Sequence, residues 1–260
     1  MTNEYHRFID KVYKSLGINL HLYKEAQMKR RLTSLRNNRG FDNFDTYYRA
    51  IMSDTDLLKE FINRITINVT EFYRNPKRWD ILKEKILPLI TKNQSSINIW
   101  SAACSSGEEP YTLAIILTEH FPHINTNILA TDIDENILKL AKQGIYNEMS
   151  MKDLPKYYIQ KYFKQENGLY YLDEKIKRKV TFKKHDLLQD QYPKNQDLIV
   201  CRNVLIYFTD KAKNMIYKNF SDALVEKGIL FVGSTEQIFN PSQYQLYVLE
   251  TFFYQKRKEG

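Results

Sequence analysis

Hydrophobic residues make up 43% of the 260 residues and charged residues 27%, so the chain can bury a core and is not expected to be disordered. The N-terminus does not resemble a signal peptide, and no apolar run approaches the roughly 18 residues that a membrane-spanning helix needs. The formal net charge of +8 favours an acidic partner: a nucleic acid, a membrane surface or an acidic protein. The two cysteines form no C-x-x-C pair, and we expect free buried thiols in a reducing cytoplasm.

Residues 1–66 place apolar side chains at the three- and four-residue spacing of helices, with breaks at Gly17 and Gly40. Strands do not alternate with helices in this part of the chain, so we predict a small all-helical N-terminal domain. Residues 67–92 are predicted to be a linker that contains a helix around Trp79 to Ile90.

Positive charge is concentrated between His21 and Gly40, where six lysines and arginines and one glutamate give a net charge of +5. A basic helix of this kind is either a docking surface for an acidic partner or a solvated face. The sequence alone leaves both interpretations open.

Residues 93–260 alternate apolar, strand-like runs with helical patterns, which favours a mostly parallel sheet covered by helices. Residues from about 144 to 182 interrupt this alternation, and we predict an inserted helix with a small β-hairpin there. Strands are predicted at 97–100, 127–130, 179–183, 197–201, 228–232 and 250–255, and helices at 110–120, 134–142, 152–163 and 209–225.

The segment from Ser96 to Leu117 has the most informative pattern in the chain. A short buried strand is followed by the small residues of Ser101–Gly107, and an apolar helix then begins near Pro110. Glu108 and Glu109 precede the proline, where acids favour a helix start. This order of strand, small-residue loop and helix lets a ligand approach the backbone closely.

A second predicted strand ends at Asp132, and an acid in this position often holds the hydroxyl groups of a ribose. The preceding loop has one glycine instead of the three of G-x-G-x-x-G, and the acids at its entrance would repel a pyrophosphate. An NAD-dependent enzyme is therefore disfavoured. A cationic ligand that has no phosphate, such as S-adenosylmethionine, fits the pattern.

Polar residues also follow two later strands, at the edge of an α/β sheet where ligands bind. Arg202, Asn203 and Tyr207 come after the strand at 197–201, where the reacting group is expected, although a solvated turn with a core tyrosine is the alternative. Asp186 can accept from an adenine amino group while Leu187 packs on the ring, or Asp186 can cap a helix.

Before the sheet, Asn68, Thr70 and Arg74 alternate with aromatic residues in the predicted linker. Their polar side chains could close over a ligand bound at the sheet. Taken alone, the same segment fits the capped start of a helix.

Four motifs together resemble the CheR-type chemotaxis receptor methyltransferases: Asn68–Arg74, Trp100–Tyr111, Ala130–Asp134 and Cys201–Phe208. The resemblance covers nearly the whole chain. It implies an α/β fold, a Rossmann-like class I methyltransferase sheet domain with a small inserted β-subdomain, preceded by a small all-helical domain. It also implies a cytoplasmic enzyme that uses S-adenosylmethionine to form methyl esters on glutamates of methyl-accepting chemotaxis receptors, in sensory adaptation.

The resemblance also implies roles for single residues. Arg74 and Tyr207 would orient the substrate carboxylate as catalytic residues, with no metal ion. Glu109 would bind the amino-acid part of the cofactor, Asp132 its ribose, and Asp186 its adenine, although many relatives have Asn at the last position. The complete set of implied cofactor-binding residues is Asn68, Thr70, Arg74, Glu109, Asp132, Asp186, Leu187, Arg202 and Asn203.

The partner implied by the resemblance is the cytoplasmic helical domain of chemoreceptors, docked through the basic helix around Lys24–Arg39. Some relatives carry a glycine-rich loop in the inserted subdomain that binds a pentapeptide at the receptor C-terminus. In this chain Gln165–Leu169 is short and has one glycine, which argues against pentapeptide tethering. Neither nucleic-acid binding nor membrane insertion is expected.

Two further functional classes remain as alternatives. A nucleic-acid methyltransferase agrees with the net charge, but the chain has no Asn/Asp-Pro-Pro-Tyr/Phe loop and no Pro-Cys pair. A non-catalytic module that senses the cofactor is the other alternative, and the presence of Arg74 and Tyr207 argues against it.

Overall fold

The structure, a computed structural model, describes residues 4–66 and 70–257. It divides into two compact units: the first groups Met1–Asn68 with Leu205–Ile216, and the second groups Val69–Val204 with Tyr217–Gly260. The chain therefore enters the first unit twice. No helix in the described ranges is both long and apolar enough to cross a lipid bilayer.

The amino-terminal part of the first unit is helical, as the sequence predicts. Phe8 is fully buried and packs against Phe44, with ring centroids 4.8 Å apart, and edge-on against Phe61. Asp54 Oδ1 accepts a hydrogen bond from the backbone N–H of Asp56 at 2.8 Å and so caps the helix that follows. The helices are α1 (Glu4–Leu16), α2 (Glu25–Asn38), α3 (Phe44–Ser53) and α4 (Thr55–Ile65).

The later stretch of the first unit, Leu205–Ile216, pairs with the residues that precede α2. The backbone N–H of Lys24 donates to the carbonyl of Tyr207 at 2.9 Å. Tyr23 and Phe208 form an antiparallel β-bridge, and their ring centroids lie 4.8 Å apart. These contacts fix the backbone on either side of Tyr207 within this unit.

The second unit begins with a helical stretch that is predicted around Trp79 to Ile90 and extends over Pro76–Thr91. Its middle, Leu82–Ile86, is a wider π-helical turn, in which the N–H of Leu87 donates to the carbonyl of Leu82. Pro88 accounts for this turn, because proline has no N–H to donate and its ring crowds the carbonyl four residues earlier. The regular parts are α5 (Pro76–Ile81) and α6 (Leu87–Thr91).

The described residues of the second unit form one seven-stranded sheet and one three-stranded sheet. The large sheet has the strand order β6-β2-β1-β7-β8-β10-β9; its first five strands are parallel, and β10 runs antiparallel to both of its neighbours, β8 and β9. The strands are β1 (Ser96–Ala102), β2 (Asn125–Asp132), β3 (Ile145–Tyr146), β4 (Phe163–Glu166), β5 (Leu169–Leu172), β6 (Val180–Lys184), β7 (Gln196–Cys201), β8 (Leu224–Val232), β9 (Leu246–Glu250) and β10 (Phe253–Lys256).

Helices cover this sheet and connect its parallel strands, as an α/β fold requires. Helix α7 is buried on nearly every side, because it is apolar all round and packs into the main core. The helices are α7 (Glu108–His120), α8 (Glu135–Gln143), α9 (Glu148–Met151), α10 (Lys156–Tyr162), α11 (Glu174–Lys177) and α12 (Asp210–Ala223).

Two predicted elements are wrong. The strand predicted at 250–255 is a hairpin of β9 and β10, whose turn contains Phe252 with a φ of 72°. The turn contains no glycine, proline or asparagine, so the sequence does not show that two strands are present instead of one. The helix predicted at 152–163 starts too early, because residues 152–155 are not helical and α10 covers only Lys156–Tyr162, with Pro155 directly before its first turn.

The insertion contains the small sheet, in the order β3-β5-β4, with antiparallel pairing throughout. Asn167 and Gly168 both have positive φ, 51° and 77°, which allows the two-residue turn between β4 and β5. Strand β6 starts at Val180, inside the predicted limits of the insertion, and belongs to the large sheet.

Candidate active site

The loop between β1 and α7 lies at the carboxyl end of β1 and turns sharply. Ala103, Ser105 and Gly107 have φ values of 59°, 50° and 94°. A Cβ atom on Gly107 would lie 3.1 Å from the Cβ of Ala141, in a conformation that side chains rarely adopt. Gly107, the single glycine in this loop, is therefore required by the geometry of the loop.

Asp132 fastens this loop to the end of β2. Its Oδ2 accepts a hydrogen bond from the N–H of Ser105 at 2.9 Å, and its Oδ1 accepts one from the N–H of Asp134 at 3.0 Å. Burial raises the pKa of Asp132 to about 6, although the backbone hydrogen bonds oppose this change. Ionised carboxylate oxygens have further acceptor sites, so ribose binding by Asp132 is compatible with these contacts and stays a prediction.

Two glutamates occupy the first turn of α7: Glu108 is buried, and the side chain of Glu109 is 12% exposed. Glu109 accepts a hydrogen bond from Ser101 Oγ at 2.9 Å, and burial raises its pKa to about 7 against the opposing effect of Arg202. Glu108 accepts from Ser106 Oγ at 2.7 Å, and burial raises its pKa to about 7 as well. Sequence reasoning selected Glu109 and missed Glu108, because adjacent acids in a first helical turn do not show which of them is buried.

Arg202 is held at the end of β7 with only 3% of its side chain exposed. Its Nη2 donates to the carbonyl of Arg74 at 2.7 Å, and its Nη1 lies 3.8 Å from Glu109 Oε2. The guanidinium lies between the rings of Trp79 and Phe231, 5.1 and 4.8 Å from their centroids. Its buried Nε has no hydrogen-bond partner among the described residues, so one donor remains for a ligand or water.

The segment from Thr70 to Asn75 is fixed through its backbone. The N–H of Tyr73 donates to Thr112 Oγ1 at 3.2 Å, and Trp79 Nε1 donates to the carbonyl of Arg74 at 3.0 Å. Together with Arg202, these bonds hold the main chain of Arg74, while a third of its side chain is exposed. Asn68 lies outside the described residues.

Asp186 lies shortly after the end of β6 and bonds to its own loop. Its Oδ1 accepts from the N–H of Leu188 and its Oδ2 accepts from Gln189 Nε2, both at 2.8 Å. The side chain therefore stabilises a turn, and the helix cap that the sequence left as the alternative is not found, because the structure describes no helix between β6 and β7. Leu187 is buried beside Asp186, and the adenine contact stays a prediction for both residues.

Tyr207 belongs to the first unit and is held there in a short 3-10 turn, Leu205–Tyr207. The guanidinium of Arg31 lies 5.5 Å from the centre of its ring, a distance typical of a cation–π contact. Arg31 Nη1 also donates to the carbonyl of Arg64 at 3.4 Å. The catalytic role predicted for Tyr207 stays a prediction.

Asn203 has a positive φ of 62°, and its N–H donates to Glu236 Oε2 at 2.6 Å. Sequence reasoning did not select Glu236. The available signal was an acid within a Gly233-Ser-Thr-Glu236 run directly after a predicted strand, where a conformationally demanding loop is expected.

The cysteines do not form a reactive centre. Cys104 and Cys201 are buried free thiols, and burial raises the pKa of each well above its usual value. A thiol in this state is a poor nucleophile at neutral pH. Among residues 4–66 and 70–257, no group of three or more His, Cys, Asp or Glu could hold a metal ion.

Comparisons with known proteins identify the family to which the chain is similar. Residues 68–253 match the family described as CheR methyltransferase, SAM binding domain, and residues 3–66 match CheR methyltransferase, all-alpha domain. The chain is 42% identical to the chemotaxis protein methyltransferase of Listeria innocua over 257 residues, which is 98% of both proteins. It is 40% identical to that of Borreliella burgdorferi, covering 91% of this chain and 88% of the relative. Identity to the Salmonella typhimurium protein is 31%, covering 91% of this chain and 84% of the relative.

The raised pKa of Glu108 predicts a specific dependence of stability on pH. Between pH 4.5 and about 7 the folded protein retains a proton on Glu108 that the unfolded chain releases, so the free energy of unfolding falls as pH rises. Glu108→Gln should reduce this fall by about 2 kcal/mol, measured by urea denaturation at pH 5 and pH 7.5. The exposed Glu148→Gln is the control and should follow the wild type. Equal pH profiles for all three proteins would contradict a protonated Glu108.

Proposed function

The chain belongs to the CheR methyltransferase family, and we propose that it transfers a methyl group from S-adenosylmethionine to glutamate side chains of chemotaxis receptors, forming γ-methyl esters. The observation that carries this proposal is the grouping of Glu109, Arg202 and Arg74 at the carboxyl edge of the sheet. The relatives' names support chemotaxis as the setting. The function would be sensory adaptation in the cytoplasm.

The buried charges match the groups of the methyl donor. Glu109 is a carboxyl group with a pKa raised to about 7 beside a buried cation, and an ammonium group would favour its ionised form. The unpartnered Nε of Arg202 is a donor suited to a carboxylate. We assign the amino-acid part of the cofactor to these residues and to Asn68, Thr70, Arg74 and Asn203, its ribose to Asp132, and its adenine to Asp186 and Leu187.

The reaction needs positioning more than it needs a base. When bound, S-adenosylmethionine supplies an electrophilic methyl group on a positively charged sulfur. A glutamate with an ordinary pKa near 4.3 is already ionised at pH 7, so its oxygen can attack without losing a proton. The C–O bond forms as the C–S bond breaks, and the electron pair remains on sulfur, giving S-adenosylhomocysteine. Because the opposite charges cancel, a site with little water favours the transition state.

Arg74 is the residue that we assign to the substrate carboxylate. Its backbone is fixed by Arg202 and Trp79, while its partly exposed guanidinium presents the planar fork that pairs well with a carboxylate. This arrangement would lower the entropy cost of orienting the attacking oxygen. Tyr207 is the second residue that we propose to orient the substrate.

For receptor docking we propose the basic helix α2, with Arg30 as its most available cation. Three of its cations are engaged within the first unit. Lys29 Nζ lies 5.8 Å from the ring centre of Tyr5, Arg31 contacts Tyr207, and Arg36 lies 4.7 Å from the ring centre of Phe44. Arg39, directly after the helix, binds Glu60 through two hydrogen bonds. Arg30 is exposed, and the described residues show no ion pair or ring contact for it.

The class of product tests the proposed reaction. Protein incubated with methyl-labelled S-adenosylmethionine and receptor-containing membranes should yield label that alkali releases as volatile methanol, because carboxylate esters hydrolyse and N-methyl or C-methyl groups do not. Omission of the membranes is the control. Alkali-stable label would indicate a different methyl acceptor, and cofactor binding without any label would favour a sensing module.

Arg74→Ala tests the assignment of the substrate-orienting residue. Loss of the guanidinium should lower kcat by about a hundredfold, because the attacking carboxylate is no longer aligned, while affinity for S-adenosylhomocysteine falls much less. Steady-state kinetics and calorimetry measure the two quantities. Lys77→Ala, an exposed cation three residues away, should leave both near wild type. An unchanged kcat in Arg74→Ala would remove this residue from the mechanism.

Arg30→Glu tests the docking surface. Charge reversal should raise KM for receptors and weaken the salt dependence of methylation, because electrostatic steering is lost, without changing the affinity for S-adenosylhomocysteine. The matched control is Lys14→Glu on α1, which makes the same change in net charge at another exposed position. Equal effects of the two variants would show that only the overall charge matters.

A further inference from the structure

Glu236 lies between the ends of two neighbouring strands, β7 and β8, and is 4% exposed. Its Oε2 accepts hydrogen bonds from the N–H groups of Asn203 and Gly233 at 2.6 and 2.9 Å. Its Oε1 accepts one from the N–H of Val204 at 2.7 Å. One buried carboxylate therefore takes three backbone donors from the loops that follow the two strands.

The backbone around this carboxylate has little freedom to rearrange. Asn203 is in the left-handed region, which is unfavourable for a residue with a side chain unless its surroundings hold it. A Cβ atom on Gly233 would lie 2.5 Å from Glu236 Oε2 and 2.7 Å from the N atom of Asn203. The contact thus requires both the carboxylate and the absence of a side chain at residue 233.

The same carboxylate contributes negative charge close to Arg202, the residue before the held turn. It counteracts the lowering of the Arg202 pKa by burial, as Glu109 also does. Glu236 therefore influences Arg202 and Asn203 in two ways, through the geometry of the backbone and through the local field.

We propose that Glu236 is a positioning residue for the cofactor site, which holds the Asn203–Val204 turn in the shape that lets Arg202 and Asn203 bind the methyl donor. This inference rests on the proposed function, since it takes those two residues as cofactor ligands. Glu236 itself touches the backbone and needs no contact with the cofactor. The competing explanation is a carboxylate that only stabilises the fold.

Two variants and one control separate these explanations. Glu236→Gln keeps the shape of the side chain but replaces one acceptor oxygen with an NH2 group, which would face a backbone N–H. Gly233→Ala displaces the carboxylate without removing its charge. Gly228→Ala is the control, because a Cβ there would lie 2.9 Å from the carbonyls of Gln196 and Val225, in the middle of β8 and five residues before Gly233. Calorimetry with S-adenosylhomocysteine gives the affinity of each folded protein, and thermal unfolding gives its Tm.

A positioning role predicts that Glu236→Gln and Gly233→Ala bind S-adenosylhomocysteine about tenfold or more weakly than wild type, because a buried charge-assisted contact is lost. Gly228→Ala should lose Tm and keep wild-type affinity. Wild-type affinity in either folded test variant would overturn the proposal, and so would an equal loss of affinity in the control. Absence of binding by the wild type would instead overturn the proposed function.

If neither test variant folds, amide hydrogen exchange of the wild type tests the held turn on which the proposal rests. The amides of Asn203, Val204 and Gly233 should be protected without ligand, because the carboxylate already holds them. Exchange at the rate of an open loop would overturn the proposal.

Discussion

The buried guanidinium of Arg202 joins three parts of the second unit at one point. It leaves the end of β7, lies between Trp79 of α5 and Phe231 of β8, and donates to the carbonyl of Arg74. Taking such a charge out of water costs several kcal/mol unless hydrogen bonds and an opposite charge compensate. Here the compensation comes from the backbone before α5 and from Glu109, so the cation and the position of Arg74 depend on each other.

Two carboxyl groups, one at the end of the β1–α7 connection and one at the end of β2, have pKa values close to neutral pH. Burial raises the pKa of Glu109 to about 7 and that of Asp132 to about 6. A bound cation favours the ionised form of a nearby carboxyl. Binding of a positively charged donor at Glu109 would therefore be coupled to proton release. The same acids would disfavour a pyrophosphate, which agrees with a loop that has one glycine.

The fold was accessible from sequence because its signals are local. Alternating strands and helices, the strand–loop–helix pattern before Glu108 and the resemblance of four motifs all predict the sheet that is observed. Local signals failed at Phe252, because no typical turn residue marks the hairpin there. They also failed at 152–155, which precede α10 and are not part of it.

The candidate site was accessible in part. The sequence places Arg202 at the end of a strand, but its hydrogen bond to Arg74 joins residues that are 128 positions apart. The burial of Glu108 and the contacts of Glu236 likewise arise only in the folded chain.

The first unit is discontinuous, and this has a consequence for dissecting the protein. Leu205 and Phe208 are buried in a unit that also contains the helices before residue 67, and Phe208 pairs with Tyr23. A fragment that starts after residue 69 would leave these side chains without the part of the first unit that covers them. Proteolysis or truncation between the two family-matched regions would therefore not release a self-sufficient catalytic fragment, and complementation by the separately expressed helical segment should be needed to recover a well-behaved protein.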